Sequence, residues 1–421
     1  MHKRHILLVA DGRSPITRRW VIALLRLNYT VSLVSSFHTE PLPGLEHFAV
    51  IPLAFAQAVF PQSPSVQSTA GTGRAAIRSL VGRFRGLFLT GRYLLGPLSL
   101  FSAVGGYRDL LDEWRPDLVH ALRIPFEGML AAHTPASIPL AVSIWGNDLT
   151  LHAWGSAQMR SQTIRCLRRA DGLVADAARD LRLGSLWGLG PEAPVLVVPG
   201  SGGLDVNAIC SRAPSADFLS SLLGEEIPHQ TPILLNPRGL RPGSVRNDVF
   251  FQALPVVFRQ VPNLVVLCAA MAGQPEAIRL LEPIRSLGLD RRVFLLPHLP
   301  QTDLWDLFHL AQVSVSPSAH DGTPNSLLEA MACGCFPVAG DIESLREWIT
   351  PGVNGLLVPP GDPVQLAEAL VLALTCPGLR ERAAIDNANL ITARAESKVV
   401  GERIEAFYLS LMKSTPDSRY R

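Results

Sequence analysis

The sequence predicts an α/β protein built from two domains, and three observations support this. Its 421 residues exceed the roughly 250–300 that a single hydrophobic core usually holds. With 48% hydrophobic and 18% charged residues, the chain has the composition of a packed globular protein. Short apolar runs alternate with amphipathic stretches along the chain, which is the pattern of parallel sheets connected by helices.

The first domain is predicted to begin with a strand, a helix and a strand at 5–10, 17–27 and 30–35. Gly12 lies in the loop after the first strand, and α/β sheets bind ligands at the carboxyl ends of their strands. This loop lacks the Gly-x-Gly-x-x-Gly of nicotinamide dinucleotide sites, and the chain contains no Walker A sequence. Further strands are predicted at 117–121, 140–144 and 172–175.

A basic segment at 74–96 follows a stretch rich in Ser, Gly and Pro. It carries five arginines among Leu, Val, Phe and Tyr, and no acidic residue occurs from its start at 74 until Asp109. Such a segment can lie on an anionic membrane surface. The alternative is an ordinary amphipathic helix that packs on the sheet while its arginines reach the solvent.

The second domain is predicted to begin with a strand at 232–236, followed by an arginine-rich loop. Arg238 and Arg246 in this loop are candidates for bidentate hydrogen bonds to a diphosphate. The alternative is a cluster of surface arginines. Strands at 264–268, 293–296 and 313–316 continue the domain.

The segment after the strand at 313–316 predicts a turn and then a short helix. Asp321 and Gly322 form the turn, Thr323 is a good N-cap, and Pro324 suits the first helical position. The open end of such a helix favours phosphate. Glu329 sits inside the helix and, with Asp321, can point toward the helix mouth. The alternative is a plain cap followed by a solvated glutamate.

The same segment, Asp321-Gly-Thr-Pro-Asn-Ser-Leu-Leu-Glu329-Ala-Met-Ala-Cys-Gly334, resembles the retaining glycosyltransferases of family 4, which have the GT-B fold. Their signature is an acidic residue, seven residues and then Glu in this context. The resemblance continues through 336–338 and 352–359 to 367–370. One departure is Asp321, where the family usually has Glu. The carboxylate is kept, but its side chain is one methylene shorter.

The resemblance implies two Rossmann-like domains that face each other across a cleft. We expect an acceptor-binding domain at 1–205, a linker at 206–231, a nucleotide-sugar-binding domain at 232–392 and a helix at 393–421 that crosses back. Asp321 and Arg238 would be catalytic. Five residues after that arginine the family usually has a Lys, which this chain lacks, and Arg246 is the candidate catalytic residue in its place. The donor would be bound by the helix start and by a glutamate within the helix: Gly322, Thr323, Pro324, Asn325, Ser326, Leu327 and Glu329.

The acceptor side is expected to include Gly12 and the end of the strand at 140–144. Trp145 stands where similar enzymes often carry a His, and Asp148 matches an acidic residue that frequently follows in the family; Asn147 lies between them. The alternative is a turn whose Asn and Asp bond the local backbone. No metal or other cofactor is expected.

The expected function is transfer of a hexosyl group from a nucleotide-sugar, with retention, to a sugar, lipid-linked or small-molecule acceptor such as a cell-envelope glycan. The alternatives are a nucleotide-sugar 2-epimerase and an inactive nucleotide-sugar-binding protein. A net charge of +2 does not indicate nucleic acid. The chain shows no signal peptide or apolar run of membrane-spanning length. A cytoplasmic protein, attached peripherally through 74–96, is therefore expected.

Overall fold

The computed structural model describes residues 3–54, 91–228 and 230–414, so most of the basic segment at 74–96 lies outside the described residues. The chain divides into two compact units. Unit 1 comprises residues up to Gly202 and those from Gly401 onward, and unit 2 comprises Gly203–Val400. The stretch 206–231, expected to be a linker, contains two short helices and groups with unit 2.

Unit 1 contains a parallel sheet of seven strands with the order β3-β2-β1-β4-β5-β6-β7. The strands are β1 (His5–Ala10), β2 (Thr30–Ser35), β3 (Phe48–Val50), β4 (Leu118–Ala121), β5 (Leu140–Ile144), β6 (Gly172–Ala175) and β7 (Val195–Val197). β1, β2, β5 and β6 have the bounds that the apolar runs predict. β3 was not predicted, because it is only three half-buried residues long. The strand order changes direction between β1 and β4, the switch point at which such sheets bind ligands.

The helices of unit 1 cover this sheet. Among the described residues they are α1 (Pro15–Arg26), α2 (Ser99–Trp114), α3 (Met129–Ala131), α4 (Ala157–Arg169) and α5 (Ala178–Leu186), with short helical turns at Gly96–Leu98, Ile124–Gly128 and His152–Trp154. α1 begins where Ser14 accepts a hydrogen bond from the Ile16 amide and Pro15 takes the first position. Trp20, Val21 and Leu24 then face the core.

Unit 2 contains a second parallel sheet, of six strands, with the order β10-β9-β8-β11-β12-β13. The strands are β8 (Ile233–Asn236), β9 (Val265–Cys268), β10 (Val293–Leu295), β11 (Val313–Ser316), β12 (Phe336–Gly340) and β13 (Leu356–Val358). Its switch point lies between β8 and β11. Both sheets thus have the strand order of Rossmann-like domains, and the predicted fold class is confirmed in each unit.

Nine helices lie among the described residues of unit 2: α6 (Val206–Cys210), α7 (Phe218–Leu223), α8 (Asn247–Gln260), α9 (Pro275–Arg285), α10 (Gln301–Leu310), α11 (Asn325–Ala332), α12 (Glu343–Arg346), α13 (Pro363–Thr375) and α14 (Pro377–Ala395). The last helix, α15 (Ser397–Ser414), starts in unit 2 and belongs to unit 1 from Gly401. In the part of the chain that the structure describes, no helix is long and apolar enough to cross a membrane.

A buried histidine attaches the last helix to the sheet of unit 1. His120 on β4 is fully buried, with 2.6 Å between its Nδ1 and the Tyr408 hydroxyl of α15 and 2.8 Å between its Nε2 and the Ser143 hydroxyl. Burial lowers the pKa of His120 to about 3. The neutral ring can donate through one nitrogen and accept through the other, so both hydroxyls are satisfied without a charge in the core.

Candidate functional site

The candidate site of unit 2 lies at its switch point, where the loops after β8 and β11 run side by side. The Arg246 amide donates to the Pro317 carbonyl at 3.0 Å, and the Ala319 amide donates to the Ser244 carbonyl at 2.7 Å. Val245 and Ser318 form an antiparallel bridge. These backbone bonds hold the arginine-rich loop against the loop that carries Asp321.

Two buried asparagines fix the start of the arginine-rich loop. The Asn236 amide nitrogen donates to Asn247 Oδ1 at 2.9 Å, and Asn247 donates through its own amide nitrogen to the Gly239 carbonyl at 2.9 Å. Asn236 Oδ1 accepts from the Arg238 amide at 3.2 Å. Neither asparagine was singled out from the sequence, because a lone Asn after a strand reads only as a turn residue.

Arg238 and Asp321 form an ion pair through Nη2 and Oδ2. Their side chains are only 10% and 17% exposed. Asp321 also accepts from the Ser318 hydroxyl at 3.3 Å and from the Gly322 amide at 3.2 Å, and its carbonyl accepts from the Ser344 hydroxyl at 2.8 Å. The Nε of Arg238 is buried and has no hydrogen-bond partner. Buried N–H groups of a guanidinium normally donate a hydrogen bond, so we expect this Nε to donate one to a bound ligand.

Arg241 adds a second positive charge beside this pair. Its Nε donates to the Arg238 carbonyl at 3.2 Å. The charge of Arg238 lowers the pKa of Arg241, which the nearby Asp321 carboxylate partly opposes. Two guanidiniums and one carboxylate leave this cluster with a net charge of +1. The excess charge favours an anionic ligand.

The side chain of Arg246, predicted to share this role, pairs instead with Asp248. Its Nε and Nη2 donate to the two Asp248 carboxylate oxygens at 2.8 and 2.6 Å. The two side chains are 41% and 43% exposed. This hydrogen bond raises the pKa of Arg246 and lowers that of Asp248. Arg241, rather than Arg246, is the arginine that the structure places next to Arg238.

The predicted start of the following helix is wrong by one residue. α11 begins at Asn325, Pro324 occupies the N-cap position with extended backbone, and no side chain caps the helix. The Thr323 hydroxyl instead accepts from Trp348 Nε1 at 3.0 Å. The predicted end is confirmed, because Gly334 follows the helix with a φ of +74°.

The residues expected to bind the donor at the helix mouth lie at the start of α11. Gly322, Thr323, Pro324 and Leu327 are buried, and Asn325 and Ser326 are partly exposed. The Oδ1 of Asn325 is buried without a hydrogen-bond partner. Pro324, Ser326 and Leu327 also line a small cavity of about 20 Å³ beneath the helix start, enough for about one water molecule.

Glu329 is not a solvated residue of a surface helix. It is 2% exposed, and its Oε2 accepts from Gln301 Nε2 at 2.8 Å. Gln301 is the first residue of α10, which follows the β10 loop at the carboxyl edge of the sheet. Helical side chains lean toward the helix N-terminus, so Glu329 faces the same edge as Asp321. Nothing in the sequence singled out Gln301 as its partner.

In unit 1, Gly12 lies where β1 ends and the chain turns toward α1. Its amide donates to the Ser35 hydroxyl at 3.1 Å. A Cβ at this position would lie 2.7 Å from the Thr39 methyl and 2.9 Å from the Ser35 hydroxyl. Beside it, Arg13 pairs with Asp11 at 3.0 Å and stacks on the Phe37 ring. Glycine is therefore required here for a close approach of the chain to the neighbouring strand end.

Asp148 proves to be a buried anchor for the loop after β5. It is 1% exposed and accepts from the Ile124 and Trp145 amides at 3.2 and 3.3 Å and from Arg123 Nη2 at 3.1 Å. This bonding matches the alternative of an acid that satisfies local backbone. The Asn147 carbonyl accepts the amides at 151 and 152.

Trp145 and Arg123 lie next to each other at this strand end. The guanidinium of Arg123 lies 5.8 Å from the centre of the Trp145 ring, and its Nε is buried without a hydrogen-bond partner. Nearby, the buried Glu127 accepts from the Ser36 hydroxyl at 2.5 Å. Burial raises the pKa of Glu127. The sequence did not indicate Arg123 or Glu127, which come from a helical turn with no recognisable motif.

We found no group of three or more His, Cys, Asp or Glu side chains that could hold a metal ion within residues 3–54, 91–228 and 230–414. The cations of the unit 2 site are the guanidinium groups of Arg238 and Arg241.

Comparison with known proteins identifies the part of the chain that forms the unit 2 site. Residues 228–389 match the family "Glycosyl transferases group 1". This stretch is similar to the domains of group 1 glycosyltransferases. The matched residues include Arg238, Asp321, Glu329 and the whole of α11.

Two curated relatives extend the similarity beyond this domain. The D-inositol 3-phosphate glycosyltransferase of Xylanimonas cellulosilytica is 28% identical over 69% of this chain and 64% of its own length. That of Thermobispora bispora is 31% identical over 49% of each chain. The matched stretches thus span about half to two thirds of the relatives' length.

Solved structures are similar over nearly the whole chain. Sucrose-phosphate synthase from Thermosynechococcus elongatus has a TM-score of 0.70 at 16% identity, covering 98% of this chain and 100% of its own. Anabaena HepE has a TM-score of 0.68 at 17% identity, covering 97% and 100%. At this level of identity the likeness establishes the fold, which is that of GT-B glycosyltransferases.

Proposed function

We propose that this protein is a retaining glycosyltransferase of family 4 that transfers a hexosyl group from a nucleotide-sugar to an acceptor. The observation that carries the proposal is the cluster of Arg238, Arg241 and Asp321 beside the start of α11. It combines a net charge of +1, a buried guanidinium donor without a partner and the open end of a helix within a group 1 glycosyltransferase domain.

The diphosphate of the donor is assigned to this cluster. The first amides of α11 have no partner inside the helix, and the helix dipole places positive charge at the same end. Arg238 and Arg241 would stabilise the negative charge that builds on the leaving diphosphate during transfer, the effect that usually contributes most to such catalysis. Arg246 could join them only by giving up its pairing with Asp248.

The two carboxylates are assigned to the sugars of the donor. Glu329 would accept hydrogen bonds from the ribose hydroxyls, and Asp321 from the hydroxyls of the transferred sugar. Asp321 reaches less far than the Glu usual in the family, but its pairing with Arg238 and its bond to the Gly322 amide fix its position. Asn325 Oδ1, buried without a partner, is a further acceptor for a donor hydroxyl.

Acceptor binding is assigned to the strand ends of unit 1. Gly12 allows close approach after β1, and Trp145 offers a ring surface after β5. Asp148 and Asn147 would position this loop. The curated relatives act, by their names, on D-inositol 3-phosphate, so small phosphorylated polyols should be tested beside lipid-linked and cell-envelope acceptors. We place the reaction in the cytoplasm.

A uridine diphosphate sugar is the first donor to test, because HepE has been solved with UDP-glucose, with UDP and with UDP and glucose. Thermal-shift screening of nucleotides and nucleotide-sugars would identify the donor, since a ligand at ~100 times its Kd stabilises by about 2.7 kcal/mol. Release of nucleoside diphosphate that requires an added acceptor, with an α-linked product from an α-linked donor by NMR, is the expected result.

Two outcomes would contradict this assignment. A product of inverted configuration would remove the retaining mechanism. A chain that binds the nucleotide-sugar tightly but releases no diphosphate with any acceptor class would be a binding protein instead.

A further inference from the structure

Unit 1 carries an exposed apolar stripe on one helical stretch. Residues 91–95, the turn Gly96–Leu98 and α2 follow one another without a break. Leu94, Leu98 and Phe101 lie four and three residues apart and are 50%, 49% and 78% exposed. This spacing places them on one side of the stretch.

The opposite side of the same stretch packs in the hydrophobic core. Tyr93, Leu100, Tyr107 and Leu111 are buried in the hydrophobic core of unit 1. A helix that is apolar on both sides is usually covered on both. We therefore expect the exposed stripe of Leu94, Leu98 and Phe101 to contact an apolar surface that is not formed by the described residues.

A loop that contacts the same helical stretch carries an exposed tryptophan. The Tyr93 hydroxyl lies 2.7 Å from His152 Nδ1, and the Ser156 hydroxyl donates to the Tyr93 carbonyl at 2.8 Å. The loop from His152 to Ser156 thus packs against Tyr93, the residue before Leu94. Trp154, within that loop, is 60% exposed.

Arginines of α4 border this aromatic residue. The guanidinium of Arg160 lies 5.0 Å from the centre of the Trp154 ring. Arg160, Arg165 and Arg168 are exposed and line an open groove of about 690 Å³ along the helix. No acidic residue occurs between Leu149 and Ala170, so the groove is positively charged.

Arg108 of α2 joins the stripe to these arginines. It lies seven residues after Phe101, two turns along the same side of the helix. Arg165 Nη2 lies 3.3 Å from His133 Nδ1. Burial, together with the charges of Arg165 and Arg108, lowers the pKa of His133 to about 4. The two arginines therefore share one positive region. The acids of α2, at 109, 112 and 113, follow in its last turns.

We propose that this surface docks unit 1 on a membrane rich in anionic lipid, with Leu94, Leu98, Phe101 and Trp154 in the headgroup region and Arg108, Arg160 and Arg165 on lipid phosphates. We call these seven residues the docking face. Exposed aliphatic and aromatic side chains rimmed by arginine are the combination that binds at a lipid interface.

Flotation of the full-length protein with vesicles tests this. We expect binding to an equal mixture of phosphatidylcholine and phosphatidylglycerol, weakened by salt, and negligible binding to phosphatidylcholine alone. Each basic residue at such a surface contributes about fivefold to partitioning. Arg160→Gln with Arg165→Gln should therefore lower the partition coefficient about 25-fold. Leu98→Ser with Phe101→Ser should lower it by a similar or larger factor.

Matched variants in unit 2 serve as controls. Arg279→Gln with Arg382→Gln removes the same charge, and Ile385→Ser removes an apolar side chain that is 65% exposed; none of these should change binding. The assay contains no donor, so its outcome is independent of the transfer reaction.

Four results would overturn the proposal: no binding to either vesicle, equal binding to both vesicles, an equal loss in the unit 2 controls, or self-association that Phe101→Ser abolishes in sedimentation experiments. The last result would assign the stripe to a second copy of the chain.

Discussion

Replacing Arg238 tests the donor site most sharply, because one side chain supports both stability and the proposed catalysis. Arg238→Ala leaves the Asp321 carboxylate, 17% exposed, with the Ser318 hydroxyl and the Gly322 amide as its hydrogen-bond donors among the described residues, at 3.3 and 3.2 Å. Loss of one partner from such a pair costs about 1–3 kcal/mol. For a unit of some two hundred residues, this lowers the Tm by about 2–4 °C per kcal/mol.

The expected catalytic loss is larger than the loss of stability. Removing one donor that stabilises charge in the transition state costs about 2–4 kcal/mol, so kcat/KM should fall by roughly 30- to 1,000-fold. Arg238→Lys keeps the charge but not the planar fork, and it should recover part of the activity. Nucleoside diphosphate release below the melting temperature of each variant is the assay.

Two neighbouring arginines provide matched comparisons. Arg241→Ala removes the charge next to Arg238 and should also lower kcat/KM. Arg246→Ala breaks an ion pair that is 41% and 43% exposed, which contributes little to stability, and should have the smaller effect on turnover. Wild-type kcat/KM in a folded Arg238→Ala variant would refute the assignment of this cluster to the diphosphate. A larger loss at Arg246 than at Arg241 would show that the loop rearranges when the donor binds.

Three further predictions concern single residues. Glu329→Gln should weaken nucleotide binding by about tenfold, because an amide accepts weaker hydrogen bonds from ribose than a carboxylate does; unchanged affinity by calorimetry would count against a ribose contact. The pKa of His120 is about 3 in the folded state and about 6.5 in the unfolded state, so the unfolded state binds more protons between these values. Its share of stability should be complete above pH 6.5 and fall by about 1.4 kcal/mol per pH unit below it, and urea denaturation of His120→Gln should show a shallower pH dependence than wild type. Gly340→Ala should destabilise unit 2 by about 3 kcal/mol or more, because its Cβ would lie 2.0 Å from the Ser318 carbonyl oxygen; Gly190→Ala, which meets nothing within 4 Å, should leave the melting temperature nearly unchanged.

The sequence alone was sufficient to predict those strands and helices whose residues follow a clear local pattern. β1 could be predicted with its observed bounds because buried parallel strands need continuous apolar runs. β11 could be predicted because its alternating Val and Ser residues at 313–316 are typical of a strand. The segment from Asp321 to Gly334 could be recognised because its strand, turn and helix signals follow one another in the chain. The short strand β3 has no such run and was missed.

Contacts between distant parts of the chain could not be predicted in the same way. Thr323 was expected to cap α11, but Trp348, 25 residues later, uses its hydroxyl. The pairing of Arg238 with Asp321 spans 83 residues, and that of Gln301 with Glu329 spans 28. Each depends on which strand ends meet at the switch point, and that is a property of the sheet order rather than of local sequence.

For Arg246 the position of the side chain depends on a residue that is close in the sequence. A carboxylate two positions later holds its guanidinium, and the family resemblance gave no reason to weigh that local pair against a ligand contact. Asp148 likewise bonds the backbone around it, an outcome that the sequence had left open.

Hydrogen exchange measured by mass spectrometry, with and without the stabilising nucleoside diphosphate, tests the central claim most directly. The donor is assigned to the unit 2 switch point, where the amides at the start of α11 and the loop after β8 would contact the diphosphate. We expect slowed exchange in peptides that cover 237–246 and 321–329, and no such change in Arg238→Ala at the same nucleotide concentration. Protection confined to unit 1 at saturating nucleotide would contradict this account.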